Sequence, residues 1–234
     1  MNNSRIKECI IIAFALIVMG NLIGSGISDV AERNRVVDVK GLAEIEVPAN
    51  KVTWPISFKE TGNDLPQLYE RINSTNKAII DYLKAGGIED AEISVNQPEV
   101  VDLQAEIYGS QNHAYRYNIT SVITVTSKKI EQVRNLMSQQ SSLLKKGIAI
   151  LKSDYQNQVI YEYTDFNDIK PKMIEEATRN ARAAAEQFAK DSDSRIGKIM
   201  RANQGVFSIT DRDENTPYIK RIRVVTSITY ELKL

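Results

Sequence analysis

The clearest run of apolar and polar positions lies between Lys170 and Gly197. Ile174, Ala177, Ala181, Ala184, Ala185 and Phe188 recur there at the three-and-four spacing that lines one face of an α-helix. Glu175, Glu176, Arg179, Arg182, Glu186 and Lys190 occupy the other face. Glu175–Arg179 and Glu186–Lys190 are acid-before-base pairs four apart, an arrangement that adds a few tenths of a kcal/mol each. Most of the apolar positions are alanine, so the helix is expected to lie very close to whatever it covers. Alternating strand patterns flank it on both sides, which makes a β-sheet its natural partner.

Earlier in the chain, Val37, Val39, Ala43, Ile45 and Val47 alternate with charged residues, predicting a strand over Val36–Val47 with one face buried. Gly41 interrupts it and reads as a bulge. After the turn signal Pro48-Ala49-Asn50-Lys51, Val52, Trp54, Ile56 and Phe58 form a second strand, and the two read as a hairpin. Pro55 inside it argues for a sheet edge or a bulge. A helix is predicted from Asp64 to Ala85, capped by Asp64 with Gln67 closing a capping box and Pro66 in the first turn. Leu65, Leu68, Ile72, Ile79 and Leu83 form its inner stripe, and Gly86-Gly87 ends it.

Two long strands follow, Ala91–Tyr108 and His113–Thr126. A short helix over Lys128–Gln140 takes Ser127 as its cap and turns Ile130, Val133 and Met137 inward. A strand over Gly147–Thr164 then carries Val159, Tyr161 and Tyr163 on one face. Beyond the alanine-faced helix come strands over Ile196–Thr210 and Tyr218–Leu232. The order is ββαββαβαββ. Strands in pairs with helices between them predict an α+β fold, mostly antiparallel, with the helices packed on one face of the sheet. Thr120-Ser121-Val122-Ile123 and Thr226-Ser227-Ile228-Thr229 echo each other, a pattern compatible with a duplicated lobe.

Ahead of this body, residues Cys9–Ile27 carry no charge and follow a short start with Arg5 and Lys7. The run approaches the roughly 20 residues that span a bilayer and exceeds a usual signal-peptide core. Its length favours an uncleaved anchor, while Gly26 and Ser28 leave open a cleaved export signal. In both cases the basic start stays inside and the body is delivered outside the cytoplasm. The chain therefore divides into a membrane anchor or signal over 1–28, a short polar stalk over 29–35 and a single α+β domain over 36–234.

Composition narrows the chemistry. Thirty basic residues balance thirty acidic ones, so the excess positive charge that drives nonspecific nucleic-acid binding is missing. The single cysteine, Cys9, lies in the N-terminal run, which excludes disulfides, zinc–thiolate sites and cysteine nucleophiles from the body. His113, the one histidine, reads as a surface turn residue; a metal site needs more such ligands or a close carboxylate cluster. Glu89-Asp90-Glu92 and Asp211-Asp213-Glu214 read as solvated turns, and the second lacks the glycine and distal glutamate of a calcium loop. No nucleophile elbow and no phosphate-cradling glycine loop is present. The reading is a non-enzyme with no catalytic, cofactor or metal residues.

Four stretches in order, VVDVKGLAEIEVPANKV, LKAGGIEDAEISV, YRYNITSVITVTSKKIEQV and EEATRNARAAAEQFA…RIGKI, resemble the SIMPL-domain family. Its members are exported bacterial proteins, also described as periplasmic immunogenic or outer-membrane-type proteins. The resemblance runs from about Val36 to Leu234. It implies the fold and export, carries over no catalytic residue, and suggests roles in stress protection and envelope contacts. One departure is Asp193, where family members usually have glycine in the turn before Arg195; aspartate tolerates the left-handed conformation better than most residues.

The tyrosines bear most directly on function. Tyr108, Tyr115, Tyr117, Tyr155, Tyr161 and Tyr163 fall on strands placed in mid-sheet, either as half-buried sheet residues or as an interface. The expectation is a non-enzymatic, membrane-associated envelope protein acting through self-assembly or partner contact. The alternative is an envelope binding module for a small ligand or glycan. A concave tyrosine-lined pocket with converging polar groups would favour the alternative. The final strand, Arg221–Leu232, is the expected seam of a homo-oligomer if it lies at an edge; if it pairs with the first strand, it closes the sheet instead.

Overall fold

The computed structural model of the chain describes residues 12–24, 35–105, 114–151 and 157–233. It is an α+β protein with two antiparallel sheets. Strands are β1 (Val36–Pro48), β2 (Lys51–Gly62), β3 (Ile93–Val95), β4 (Glu99–Asp102), β5 (Tyr117–Ser127), β6 (Ile160–Glu162), β7 (Arg195–Gln204), β8 (Ser208–Asp211) and β9 (Ile219–Lys233). Helices are α1 over residues 12–24, α2 (Leu65–Ala85), α3 (Ile130–Gln139), α4 (Ser141–Leu144) and α5 (Phe166–Asp191). One sheet has the order β1-β9-β7 with β8 also on β9, and the other β3-β5-β2-β6 with β4 also on β5. The expected β1–β2 hairpin is thus corrected: the strands follow each other in sequence but enter different sheets. Alternation reports which face of a strand is buried, not which strand lies beside it.

The chain forms two compact units, where the sequence suggests one domain. The first comprises Met1–Ile45, Asn167–Ile209 and Ile222–Leu234, the second Glu46–Phe166 and Thr210–Arg221.

In the first unit α5 buries Met173, Ala177, Ala181, Ala185 and Ala189, an unbroken stripe four residues apart. Val37, Val39, Ile228 and Tyr230 pack with Ala181 and Ala185. Close approach is confirmed at Gly41. A Cβ built there would lie 1.9 Å from the Ala177 carbonyl oxygen and 2.4 Å from the Ala181 nitrogen. Gly41 is therefore the socket for the helix backbone. Phe188 corrects the expected stripe, for it is 63% exposed, while Met173 and Ala189 take inward places. The Glu175–Arg179 pair forms at 3.0 Å, but Glu186 pairs backward with Arg182 at 2.9 Å. Asp193 has φ 51°, the left-handed turn for which glycine is usual. β9 lies between β1 and β7, so it closes the sheet and is not the expected edge.

The second unit is built on larger side chains. α2 buries Leu68, Ile72, Asn76, Ile79 and Leu83 against Trp54, Ile56, Phe58, Ile123 and Val125. Burying each such aliphatic side chain is worth about 1.5–3 kcal/mol. Asp64 caps α2, accepting from the Gln67 N–H at 3.0 Å, and Gly86 ends the helix. Leu65 departs from the expected stripe and is exposed. Asn76, unforeseen on that stripe, accepts from the Ser121 hydroxyl at 3.0 Å, which satisfies two buried polar groups at once. Ser121 faces this core, whereas Ser227 does not; Thr226 is the buried residue there. The echo between the two tetrapeptides therefore runs out of phase and is not a matched repeat.

Two long-strand expectations are shortened. Ala91–Tyr108 resolves into a single 3₁₀ turn, Asp90–Glu92, then β3 and β4, parted by the stretch holding Pro98, which has no N–H to donate. Among the described residues, the predicted strand over Gly147–Thr164 keeps β6 and an isolated bridge between Phe58 and Ile150. Pro55 sits as expected at a gap in pairing: β6 covers Lys51 to Thr53, and the bridge resumes at Phe58.

No described helix is long and apolar enough to cross a membrane. Of the N-terminal segment, 12–24 is helical; the rest of 1–28, with Cys9, lies outside the described residues, as do His113, Tyr108 and Tyr155.

Candidate functional site

Two clefts open on the second unit and share one residue, Tyr218. The first, of about 520 Å³, is lined by Pro48, Ala49, Lys128, Lys129, Ile130, Glu131, Gln132 and Tyr218. The second, of about 420 Å³, is lined by Arg134, Met137, Ser138, Tyr161, Asn215, Pro217 and Tyr218. Both fall within the span of small-molecule sites, roughly 300–1,000 Å³.

Local structure fixes each wall. α3 supplies one side. It is tied to α2 by the Tyr82 hydroxyl, which donates to the Leu136 carbonyl at 2.6 Å, and burial pushes the Tyr82 phenol up from its ordinary value. Leu136 also fills the space that a side chain on Gly86 would need, with its Cδ2 2.3 Å from a Cβ built there. The opposite wall is the turn before β9. The Asp213 carboxylate accepts from the Asn215 N–H at 2.9 Å and the Thr216 N–H at 2.8 Å, and also from the Thr216 hydroxyl and the Arg212 guanidinium. The Thr216 hydroxyl above all, with Arg212 and the two N–H groups, draws the Asp213 carboxyl down to about 2. The turn then presents Asn215, Pro217 and Tyr218 in fixed order, and the Tyr218 carbonyl accepts from Ala49 N–H at 2.8 Å.

Tyr218 is held from two directions. The Arg134 guanidinium lies over its ring, 3.7 Å from the centroid, a cation–π contact. Tyr161 meets it edge-on at 6.2 Å between centroids, the geometry aromatic quadrupoles prefer. Arg134 is itself bonded to Glu131 at 3.0 Å. Of the singled-out tyrosines among the described residues, Tyr161 lines the second cleft. Burial pushes its hydroxyl up, and that hydroxyl lies 3.9 Å from the Met137 sulfur. Tyr117 instead sits under Arg116, 4.9 Å from the ring centroid, and Tyr115 is exposed.

At the other end of the first cleft, Lys129 binds Glu89 at 2.6 Å and Glu92 at 3.1 Å. Burial pushes the Glu92 carboxyl up, but the Glu89 N–H, the Ser127 hydroxyl and Lys129 outweigh it and hold the group below the usual carboxylate range. The expectation of a wholly solvated Glu89-Asp90-Glu92 turn is corrected here, because the Glu92 side chain is only 18% exposed. Ser127 does not cap α3 directly; Lys129 is the cap residue, and the Ser127 hydroxyl accepts from its N–H at 2.9 Å. Lys128, also exposed on the lining, has no ion-pair partner among the described residues.

Sequence reasoning missed Tyr218, Arg134 and Asn215. Tyr218 was legible only as the first residue of a strand, although an aromatic directly after Asn215-Thr216-Pro217 marks a ring delivered by a turn. Arg134 looked like one more charge on the polar face of a short helix.

Comparison with known families bears on the whole body. A family model, SIMPL (protein of unknown function, DUF541), matches residues 37–226. The chain belongs to the SIMPL family. No curated protein matches it. The match takes in the second compact unit of this SIMPL protein, part of the first and all lining residues of the groove, and the family description assigns them no role.

Proposed function

We propose that this SIMPL protein is a non-enzymatic binding protein of the cell envelope, held at the membrane by its N-terminal segment, and that the Tyr218 groove is its working surface. The carrying observation is the pair of clefts that meet at a ring braced by Arg134 and Tyr161. A concave, tyrosine-lined surface with converging polar groups suits capture of a ligand better than flat association. Apart from the exposed Lys128, the charged side chains on its lining are tied up in pairs, Lys129 with Glu89 and Glu92, and Arg134 with Glu131. That use suits recognition and orientation more than proton transfer, which needs a group free to change its charge.

The membrane part of the reading rests on the uncharged run Cys9–Ile27 behind Arg5 and Lys7. Alkaline carbonate extraction with N-terminal sequencing tests it. An uncleaved chain retained in the membrane fraction is expected; a soluble mature chain starting near Asp29 replaces the anchor with an export signal. For the groove, a photo-cross-linker at Gln132 or Ser138 in intact cells is expected to form a discrete adduct that Tyr218→Ala removes. Adduct formation that ignores Tyr218 sinks the assignment.

A second reading, contact with a protein partner or another copy, is favoured by Ile199, Met200, Val206 and Ile209 in the first unit. All four are exposed, Val206 at 92%, and exposed apolar groups in one region mark association surfaces. Sedimentation of the full chain, with and without Val206→Ser, separates the readings.

A further inference from the structure

We infer that the groove takes an acidic saccharide. This rests on the Tyr218 groove being the working surface and names the class of molecule it holds.

The lining points to side-chain recognition. α3 forms one wall, and the backbone N–H and C=O groups of a helix interior are spent on its own ladder. An extended peptide draws much of its affinity from main-chain bonds to a free strand edge, and an amphipathic helix needs a row of apolar sockets. The groove offers neither. Its apolar lining is discontinuous, Ile130 and Pro48 in one cleft, Met137 and Pro217 in the other. Between them stand two aromatic rings and a set of planar or hydroxylic groups: Gln132 in the first cleft, and Ser138 and Asn215 in the second. That combination fits a sugar. The polarised C–H groups on one face of a pyranose pack on the electron-rich face of an aromatic ring, and the amides and hydroxyl meet its hydroxyl groups one for one.

Tyr218 is ready for that role before any ligand arrives. Arg134 on the ring and Tyr161 at its edge fix its plane, so little side-chain freedom remains to be lost on binding.

Charge sets the acidic part. Three cations, Lys128, Lys129 and Arg134, line the groove with Glu131, and Glu89 and Glu92 stand against Lys129. Lys129 and Arg134 are already paired within the protein. Lys128 is the cation left for a ligand carboxylate, as it is exposed on the lining and unpaired among the described residues. Lys128 and Tyr218 line the same cleft, so a uronic-acid unit held there has both on one lining.

Calorimetric titration of the full-length chain, kept in a non-glycosidic detergent, tests this with trigalacturonate as acidic probe and maltotriose as neutral one. At low salt the acidic probe is expected to bind about tenfold or more tightly than the neutral one. Tyr218→Ala should weaken both about tenfold or more, and Tyr218→Phe should restore both, since the ring does the packing. Lys128→Gln, at an exposed position, should bring the affinity for trigalacturonate down to that for maltotriose, with an unchanged unfolding midpoint as the control for its fold. Equal binding of the two sugars, or binding indifferent to Tyr218→Ala, overturns the inference. So does tighter binding of a short poly-glutamate peptide that competes for the groove. If no saccharide binds while the Gln132 adduct still forms in cells, the ligand class is wrong and the groove stands; if both fail, the groove falls as well.

Discussion

Each unit of this SIMPL protein lays one long helix on an antiparallel sheet, but the two seat it by opposite means. α5 turns Met173 and four alanines toward its sheet, and α2 turns leucines, isoleucines and Asn76 toward its own. With alanine on the helix and Gly41 on the strand, the contact in the first unit is backbone against side-chain stub, and nothing in it can rotate aside. In the second unit the contact is made by branched side chains that can shift rotamer at modest cost. Close seating is therefore geometrically strict, and large-side-chain seating is forgiving. The forgiving unit is also the one that carries two extra helices, α3 and α4, and with them the groove.

A matched pair of glycine substitutions would expose this contrast most strongly. Neither Gly41 nor Gly86 has a positive φ, so alanine is conformationally allowed at both and only space decides. At Gly41 the new methyl group meets backbone atoms at 1.9 and 2.4 Å. Gly41→Ala should cost about 3 kcal/mol or more, the top of the overpacking range. At Gly86 the obstacle is the Leu136 side chain, its Cδ2 2.3 Å and its Cγ 2.8 Å away, and a side chain can change rotamer where backbone cannot. Gly86→Ala should cost about 1 kcal/mol. Urea unfolding gives the magnitudes, and hydrogen exchange should place the first loss in α5 and β9 and the second in α2 and α3. Equal costs would mean that the two units are not seated differently.

Next in size is Ala181→Leu, which puts a bulky group into the same close contact and should cost about 1–3 kcal/mol. Ala183→Leu, one turn face away and exposed, should stay within about 0.5 kcal/mol. A similar loss at both positions would show that the alanine stripe does not set the approach.

These elements differ in how far the chain announced them. The ends of α2 were legible, from the Asp64 cap to the Gly86 stop, because caps are local, while its inner stripe took in the exposed Leu65 and missed Asn76. The alanine face of α5 was legible too, except that alanine is weakly apolar, so Phe188 pulled the inferred stripe about one position round. What could not be read was partnership. β1 and β2 look like a hairpin because a turn joins them, and only long-range packing sends them to different sheets. The place of Gly41 as a socket could not be read, because the Ala177 carbonyl it makes room for lies far along the chain. The groove failed for the same reason: Arg134, Tyr161 and the turn that holds Asn215 and Tyr218 are three separate segments, and none carries a motif of its own.

The buried pair Asn76 and Ser121 gives a smaller test of the forgiving unit. Ser121→Ala leaves the Asn76 carbonyl oxygen without its donor, in a place water does not reach, and should cost about 1–2 kcal/mol. Replacing both, as Ser121→Ala with Asn76→Leu, removes the unsatisfied group and should recover most of that loss if the core can take the leucine. A double variant no better than the single one would mean that the side chains around α2 are as unyielding as the backbone around α5.

The smallest effect concerns the turn that presents Tyr218, and its sign follows from the Asp213 carboxyl. That group sits at about 2 in the folded chain, below an ordinary aspartate near 3.9. A depressed carboxyl stabilises the fold in full above its unfolded value, and the contribution fades as pH falls toward the folded one. The turn should therefore hold unchanged from neutral pH down to about 4 and loosen between about 4 and 2. Tyr218 ring resonances, followed by NMR across that window, should lose their fixed environment while those of Tyr230, buried under α5, stay put. Asp213→Asn should shift the Tyr218 signals already at neutral pH and abolish the acid transition. If Tyr218 and Tyr230 instead change together, acid is opening the whole chain, and the turn is no looser than the strict unit it is being compared with.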